Sequence, residues 1–262
     1  MDQDQLAALL AAAKDIALAA GRAIREISLE PQDIRDKADG SPLTRADLAS
    51  HEVIVAGLEP LRPAFPILSE EGDLTAAEQG GWETFWCVDP LDGTKEFIRG
   101  FPDYTVNIAL VQHAEPILGV VYAPAAAALF WAARGTGAHK RADDGPDQPI
   151  AAATSDSPAT AVVSRSHLSP ETKTYLDRLG VREMVQRGSS VKICAVAEGS
   201  ADIYPRLGPT CVWDTAAGSA VAREAGCRVI DLQGAALSYD PAEGLKRPGF
   251  IVLPRNMNVP LP

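Results

Sequence analysis

The chain is short of what marks several large protein classes. It has four cysteines, Cys87, Cys194, Cys211 and Cys227. No two stand in a CxxC pair, so neither a disulfide framework nor a zinc site is indicated, and free thiols in a reducing compartment are expected. No stretch of about twenty apolar residues occurs, which argues against a membrane-spanning helix. Repeats of fixed period and low-complexity tracts are missing. The start, Met1-Asp2-Gln3-Asp4, is acidic and has none of the basic opening of a secretory signal. Positive charge is also scarce: 24 Lys and Arg stand against 35 Asp and Glu, a formal net charge of -11. Such a surface repels phosphate backbones and excludes non-specific binding to a nucleic acid polymer. A small anionic substrate would need local positive charge, and divalent cations held by clustered carboxylates would supply it. By charge alone, an acidic surface that only keeps a cytosolic protein dissolved is the commoner case.

At 262 residues, 46% hydrophobic and 23% charged, the chain has enough material for one large domain or two small ones with a real core. Apolar residues recur at helical spacing from Leu6 to Ile27. Lys37-Ala38-Asp39-Gly40-Ser41-Pro42 is turn material, and Thr44 with Asp47 forms a start signal for a helix running to about Leu58. Pro66–Ser69 and Phe85–Val88 read as apolar strands that each end abruptly in acid. Thr105–Val111, Ile117–Tyr122 and Ala128–Ala133 suggest an antiparallel meander. Asp143–Pro149 is the expected boundary between an N-terminal half, 1–148, and a C-terminal half, 149–262. Beyond it, strands (Ala161–Val163, Asp202–Tyr204, Arg228–Asp231, Pro248–Leu253) alternate with helices (Pro170–Leu179, Ser190–Glu198, Asp214–Ala225). That alternation predicts an α/β layer.

The acids fall in three places: Glu70-Glu71 after one strand, Asp89 and Asp92 around Pro90 after the next, and Asp214 before a late helix. Carboxylates at strand and helix ends converge where loops meet at a sheet edge. Magnesium takes oxygen ligands in near-octahedral geometry, and two ions clamp an in-line displacement at phosphorus. Gly93 allows close backbone approach to a ligand, and a helix beginning near Thr94 would offer free amides to phosphate. Taken singly, each acid more often serves as a turn or cap residue. Asp47 and Asp214 fit helix-start acids, and Glu70-Glu71 fits a solvated pair. The run Asp89-Pro90-Leu91-Asp92-Gly93-Thr94 after an apolar strand is much harder to obtain by chance.

That run resembles the first signature of the inositol monophosphatase superfamily, and Trp213-Asp214-Thr215-Ala216-Ala217-Gly218 resembles the second. The resemblance extends from about Lys37 to Val252. Within the superfamily, further stretches resemble the CysQ-type 3'(2'),5'-bisphosphate nucleotidases. Among them are Gly93-Thr94-Lys95-Glu96-Phe97, Thr105–Leu110, Ser164-Arg165-Ser166-His167, Gly188-Ser189-Ser190-Val191-Lys192 and Tyr204-Pro205-Arg206. Gly40 departs from a frequent asparagine.

The resemblance implies an α/β (α+β) sugar-phosphatase fold in α-β-α-β-α layers, with a metal-binding N-terminal half. It implies two or three Mg2+ ions on Glu70, Asp89, the Leu91 carbonyl, Asp92 and Asp214. Asp47, Thr94 and Glu70 form the implied catalytic set, in which Asp47 and Thr94 position or deprotonate the attacking water. Glu70, Leu91, Asp92, Gly93, Thr94, Ser189 and Asp214 would meet substrate. The implied substrate is adenosine 3',5'-bisphosphate (PAP), cleaved to AMP and phosphate, with its sulfated counterpart PAPS as a second one. Lithium inhibition goes with the family. The implied location is cytoplasmic, with attachment at the inner face of a membrane left open, as are monomer and homodimer.

A bisphosphate needs cationic groups beyond the metals, and Lys192 and Arg206 are the candidates, although both also fit plain surface charges. His113 and His139 read as incidental, and His167 as equally suited to nucleotide contact or structure. Other phosphatases of the superfamily, acting on inositol phosphate or fructose 1,6-bisphosphate, stay open. So does a silent metal- or nucleotide-binding protein, disfavoured because all the proposed acids occur together.

Overall fold

The structure is a computed structural model and describes residues 1–27, 34–37, 41–73, 81–166 and 168–262. His167 and the Ala38-Asp39-Gly40 part of the expected turn lie outside the described residues.

Helix α1 (Gln3–Glu26) is capped by Asp2, whose side chain accepts from the Gln5 amide at 2.8 Å. Its buried stripe of Leu6, Leu9, Ala13, Ala17, Ala20 and Ile24 has the spacing of one helical face. Strands β1 (Ile34–Asp36) and β2 (Pro42–Thr44) pair antiparallel on either side of the expected turn. Helix α2 (Arg45–Leu58) follows directly.

Seven strands form the main sheet in sequence order. They are β3 (Ile67–Ser69), β4 (Thr84–Asp92), β5 (Thr105–Gln112), β6 (Glu115–Ala123), β7 (Ala128–Ala133), β8 (Ala138–Ala142) and β9 (Gln148–Ile150). β3 pairs parallel with β4, and every later pairing is antiparallel. The meander was legible because β5 to β7 are mostly apolar runs, buried on both faces. Helix α3 (Thr94–Ile98) is a short turn after β4.

The C-terminal half contributes β10 (Thr160–Ser164), α4 (Pro170–Arg178), β11 (Glu183–Arg187), α5 (Val191–Ala197), β12 (Tyr204–Arg206), β13 (Thr210–Cys211), α6 (Ala216–Glu224), β14 (Cys227–Ile230), β15 (Lys246–Arg247) and β16 (Phe250–Pro254). β12, β16 and β14 form a second sheet, which an isolated parallel bridge from Ala161 to Ile203 joins to the parallel pair β10–β11.

Three apolar clusters hold the layers together. α1 and α2 cover one face of the main sheet through Ile24, Ile54, Trp86 and Ile108. α5 and α6 are sandwiched between the other face and the second sheet, around Phe85, Ile193, Ala217 and Phe250. Tyr175 and Leu176 of α4 close the far side against Val163 and Ile251. The result is the expected α-β-α-β-α order. Gly119 is where β6 meets α6: a Cβ there would stand 2.2 Å from the Ala217 carbonyl oxygen.

Some elements differ from expectation. β8 and β9 extend the main sheet across the expected boundary, and Asp143–Asp147 forms the connection between them. β11 is solvent-exposed and mostly polar, so no alternation announced it. The expected strand Asp202–Tyr204 runs instead from Tyr204 to Arg206, where it pairs with β16. α6 begins after Thr215, so Asp214 precedes the helix and does not cap it. Among the described residues, no helix is long and apolar enough to cross a membrane.

Candidate active site

The parallel step from β3 to β4 brings two chain ends together, since the Glu70 amide donates to the Val88 carbonyl at 3.1 Å. β4 then breaks its ladder. Asp89 faces Asn107 and Asp92 faces Thr105 across β5, with an irregularity between the two pairs. Pro90 has no N–H to give a neighbour. Its carbonyl instead accepts from the buried Ser50 hydroxyl of α2 at 2.6 Å, and the Leu91 amide turns back to Asp89 Oδ1 at 3.1 Å. Gly93 sits at φ 92°, a conformation that favours glycine. A side chain there would also crowd the Asp103 carbonyl, at 2.9 Å.

Asp47 is held from two sides. As the third residue of α2 it completes a capping box, accepting from the Thr44 amide at 2.8 Å and the Thr44 hydroxyl at 2.5 Å through Oδ2. Its other oxygen, Oδ1, lies 3.0 Å from the Thr94 hydroxyl, which is also 3.2 Å from the Leu91 carbonyl. Asp47 is therefore both a helix-start acid and a neighbour of Thr94.

Asp92 Oδ2 accepts from the Ser190 amide at 2.6 Å and lies 2.8 Å from the Ser190 hydroxyl. Asp214 Oδ2 accepts from the Thr210 hydroxyl at 2.5 Å and the Cys211 amide at 3.1 Å. Lys37 donates to Glu70 and Glu71, both at 2.6 Å, so Glu70-Glu71 is an ion-paired corner and not a solvated pair.

One cleft is lined by Glu70, Asp92, Gly93, Thr94, Ser189, Lys192, Arg206 and Asp214. Asp47, Asp89 and Leu91 are buried next to these residues. The structure thus brings all the sequence-derived candidates together. Lys192 is buried, with its ammonium on the Ser189 carbonyl at 2.5 Å and 5.4 Å from the Tyr204 ring centroid. It is no surface charge. Arg206 donates to the Pro209 carbonyl at 2.7 Å. His139 stacks on Trp131, within the main sheet.

Electrostatics at the cleft is dominated by crowded anions. Burial, then Glu70, Asp92 and Asp214, pushes Asp89 well above the usual carboxylate range. Asp92 is pushed up to about 6 by burial and Asp214. Burial also raises Glu70 and Asp214, and it raises Glu71 to about 7. Burial would lower Lys37, but Glu70 and Glu71 more than reverse this. Lys192 is brought down to about 8, chiefly by burial, with Asp92 opposing.

Among the described residues, no three His, Cys, Asp or Glu side chains stand in a ready-made ion cage. The carboxylates are turned to Lys37, Ser190 and Thr210 instead. The donors nonetheless fit magnesium. They are all oxygens, Asp89 and Leu91 are buried and the others half-buried, and their mutual repulsion is what a divalent cation relieves. The Thr105 hydroxyl and the Asn107 side-chain carbonyl, opposite Asp92 and Asp89, have no hydrogen-bond partner among the described residues. They can serve further polar groups of a filled site.

Sequence reading did not place Lys37, Ser50, Asn107 or Ser190 at the site. Ser50 sits one turn after Asp47 on α2. Asn107 and Ser190 fall inside recognised stretches, but nothing in those stretches shows that they meet Asp92.

The chain belongs to the inositol monophosphatase family, whose sequence profile matches residues 5–256. Among its relatives is the 3'(2'),5'-bisphosphate nucleotidase CysQ of Escherichia coli (strain K12). It is 47% identical over 235 residues, which cover 89% of this chain and 94% of that one. The crystal structure of CysQ from Bacteroides thetaiotaomicron is similar at a TM-score of 0.82 and 45% identity, covering 95% of this chain and 97% of that one. An inositol monophosphatase from Anabaena (Nostoc) sp. PCC 7120 is similar at a TM-score of 0.76 and 26% identity, covering 97% and 93%.

Proposed function

We propose that the chain is a magnesium-dependent 3'(2'),5'-bisphosphate nucleotidase that hydrolyses adenosine 3',5'-bisphosphate to AMP and phosphate, and also takes PAPS. The observation that carries this is the single cleft in which the acids Glu70, Asp92 and Asp214 face the cations Lys192 and Arg206. Acids suit a metal-assisted phosphoryl transfer, while cations suit a second phosphate. The similarity to proteins named as such nucleotidases supports the same choice.

Glu70, Asp89, the Leu91 carbonyl, Asp92 and Asp214 would hold two or three Mg2+ ions. When bound, these lower the pKa of an attacking water and offset charge on the phosphoryl and leaving oxygens. Thr94 would take a proton from that water while passing its own to Asp47 Oδ1, 3.0 Å away. Burial raises the pKa of Asp47 against the opposing hydrogen bonds of Thr44 and Thr94, the direction that strengthens it as a base. The water oxygen bonds to phosphorus as the ester bond to the 3'-oxygen breaks, and the departing 3'-oxygen takes its proton from solvent water. Gly93 lets the backbone approach the phosphate, and Ser189, Lys192 and Arg206 orient the second phosphate.

In this proposal the 1–148 half supplies most ligands and the 149–262 half supplies Asp214 and the cations. The enzyme acts in the cytoplasm, free or at the inner face of a membrane, as a monomer or homodimer. Purified protein should cleave adenosine 3',5'-bisphosphate in Mg2+ far more efficiently than inositol 1-phosphate, and not at all in EDTA. Faster turnover of inositol 1-phosphate would overturn the substrate assignment in favour of another phosphatase of the family.

A further inference from the structure

Asp92 does not hold its own orientation. Ser190, at the start of α5, offers it both an amide at 2.6 Å and a hydroxyl at 2.8 Å. The same hydroxyl lies 2.7 Å from the main-chain carbonyl of Asp214. Behind Ser190 stands Asn107 of β5, whose side-chain amide donates to the Ser190 hydroxyl at 2.8 Å and lies 3.4 Å from Asp92 Oδ2. Asn107 is 0% exposed and Ser190 2%. Neither is an incidental surface contact.

The order of donors matters. A hydroxyl has one proton and two lone pairs. With Asn107 filling a lone pair, the Ser190 proton is left for Asp92 or the Asp214 carbonyl. The Asn107–Ser190 bond therefore confines the Ser190 proton to these two acceptors at the site. Four segments meet at this point: β5, the start of α5, the end of β4 and the turn that leads into α6. Sequence separations of 83 and 98 residues are closed by these bonds.

We propose that Asn107 and Ser190 are a positioning pair for the metal site: Ser190 orients the Asp92 carboxylate, and Asn107 orients Ser190. The inference rests on the proposed function, because it assigns Asp92 to a divalent cation. Outer partners of metal ligands typically control affinity by about 10- to 100-fold.

The test is titration of the full-length protein with Mn2+ alone, without nucleotide, followed by electron paramagnetic resonance. Ser190→Ala and Asn107→Ala should each weaken Mn2+ binding about tenfold. If Asn107 acts through Ser190, the double variant should be no weaker than Ser190→Ala. Ser190→Thr, which keeps the hydroxyl, should restore binding to within about threefold of the unsubstituted protein, a small fraction of the loss expected for an outer partner. Circular dichroism melts in EDTA report folding separately. Folded Ser190→Ala with unchanged Mn2+ affinity overturns the proposal, as does an additive double variant. Should Ser190→Ala fail to fold, unweakened binding by Asn107→Ala overturns it. An unsubstituted protein that takes up no Mn2+ would instead bring down the proposed metal site, and this inference with it.

Discussion

Thr94 and Asp47 meet hydroxyl to carboxylate at 3.0 Å although 47 residues separate them in the chain. One begins α3 and the other lies in the first turn of α2. Because the Thr44 capping box immobilises Asp47, the geometry of the pair is set by a helix start. Asp47→Asn keeps the shape but removes the proton acceptor. It should lower kcat by about 10²- to 10⁴-fold with little change in KM. Thr94→Ala should do the same, while Thr94→Ser retains much of the activity. Steady-state kinetics on adenosine 3',5'-bisphosphate measures this, and an active Asp47→Asn enzyme would remove Asp47 from the mechanism.

Lys192 is the buried cation of the cleft, and its pKa is lowered to about 8. Below that pH it is charged, and above it the charge is lost. KM for the bisphosphate should therefore rise as pH passes from 7 to 9. Lys192→Met should raise KM at pH 7 by about 10- to 100-fold and flatten its pH dependence. Inositol 1-phosphate, with no second phosphate, should be affected much less. Equal effects on both substrates would argue against a phosphate contact.

The metal-free protein should become more stable as pH falls from neutral into the weakly acidic range. A carboxylate whose pKa is raised by folding binds its proton more tightly folded than unfolded, so protonation stabilises the fold. Asp92 at about 6, with Asp89, Glu70 and Asp214 also raised, should make Tm in EDTA increase as pH falls from 7.5 to 5.5. Mg2+ should raise Tm at pH 7.5 and lose that effect toward pH 5.5 as protons compete with it. Differential scanning calorimetry across this range, with and without Mg2+, gives the comparison.

Gly119 is a test of packing alone. An added Cβ would run into the Ala217 carbonyl oxygen, so Gly119→Ala must push β6 and α6 apart. A loss of about 1–3 kcal/mol is expected, at roughly 2–4 °C in Tm per kcal/mol. Denaturant unfolding should show it, and a neutral substitution would mean that the two elements slide past each other.

How much of this was legible follows from what made each feature visible. The run Asp89–Thr94 is contiguous, so its composition announced it. The long α1 and the strands β5 to β7 announced themselves by buried periodicity or mostly apolar runs. β11, being polar and exposed, carried no such signal. β8 and β9 were hidden because a connection rich in Asp, Gly and Pro looks the same between domains as between paired strands. At the site, Asn107, Ser190 and Lys37 could not be placed on Asp92 and Glu70, since those meetings depend on which layers the chain stacks. Lys192 and Arg206 were named by residue type, but whether they lay on the surface or in the cleft was settled only by the fold.

The interruption of β4 has a consequence for how the site can change. A strand ordinarily commits its carbonyls to its neighbours, but Pro90 and Leu91 have no paired partner on β5. The Leu91 oxygen is left out of the ladder, with the Thr94 hydroxyl 3.2 Å from it, because of the path of the backbone and not because of its side chain. Replacing Leu91 can alter how tightly that stretch packs, yet no substitution there deletes the oxygen. Part of the proposed coordination chemistry would thus be inherited with the shape of the chain, and Pro90 and the Ser50 hydroxyl that holds its carbonyl are the places where drift would reach it.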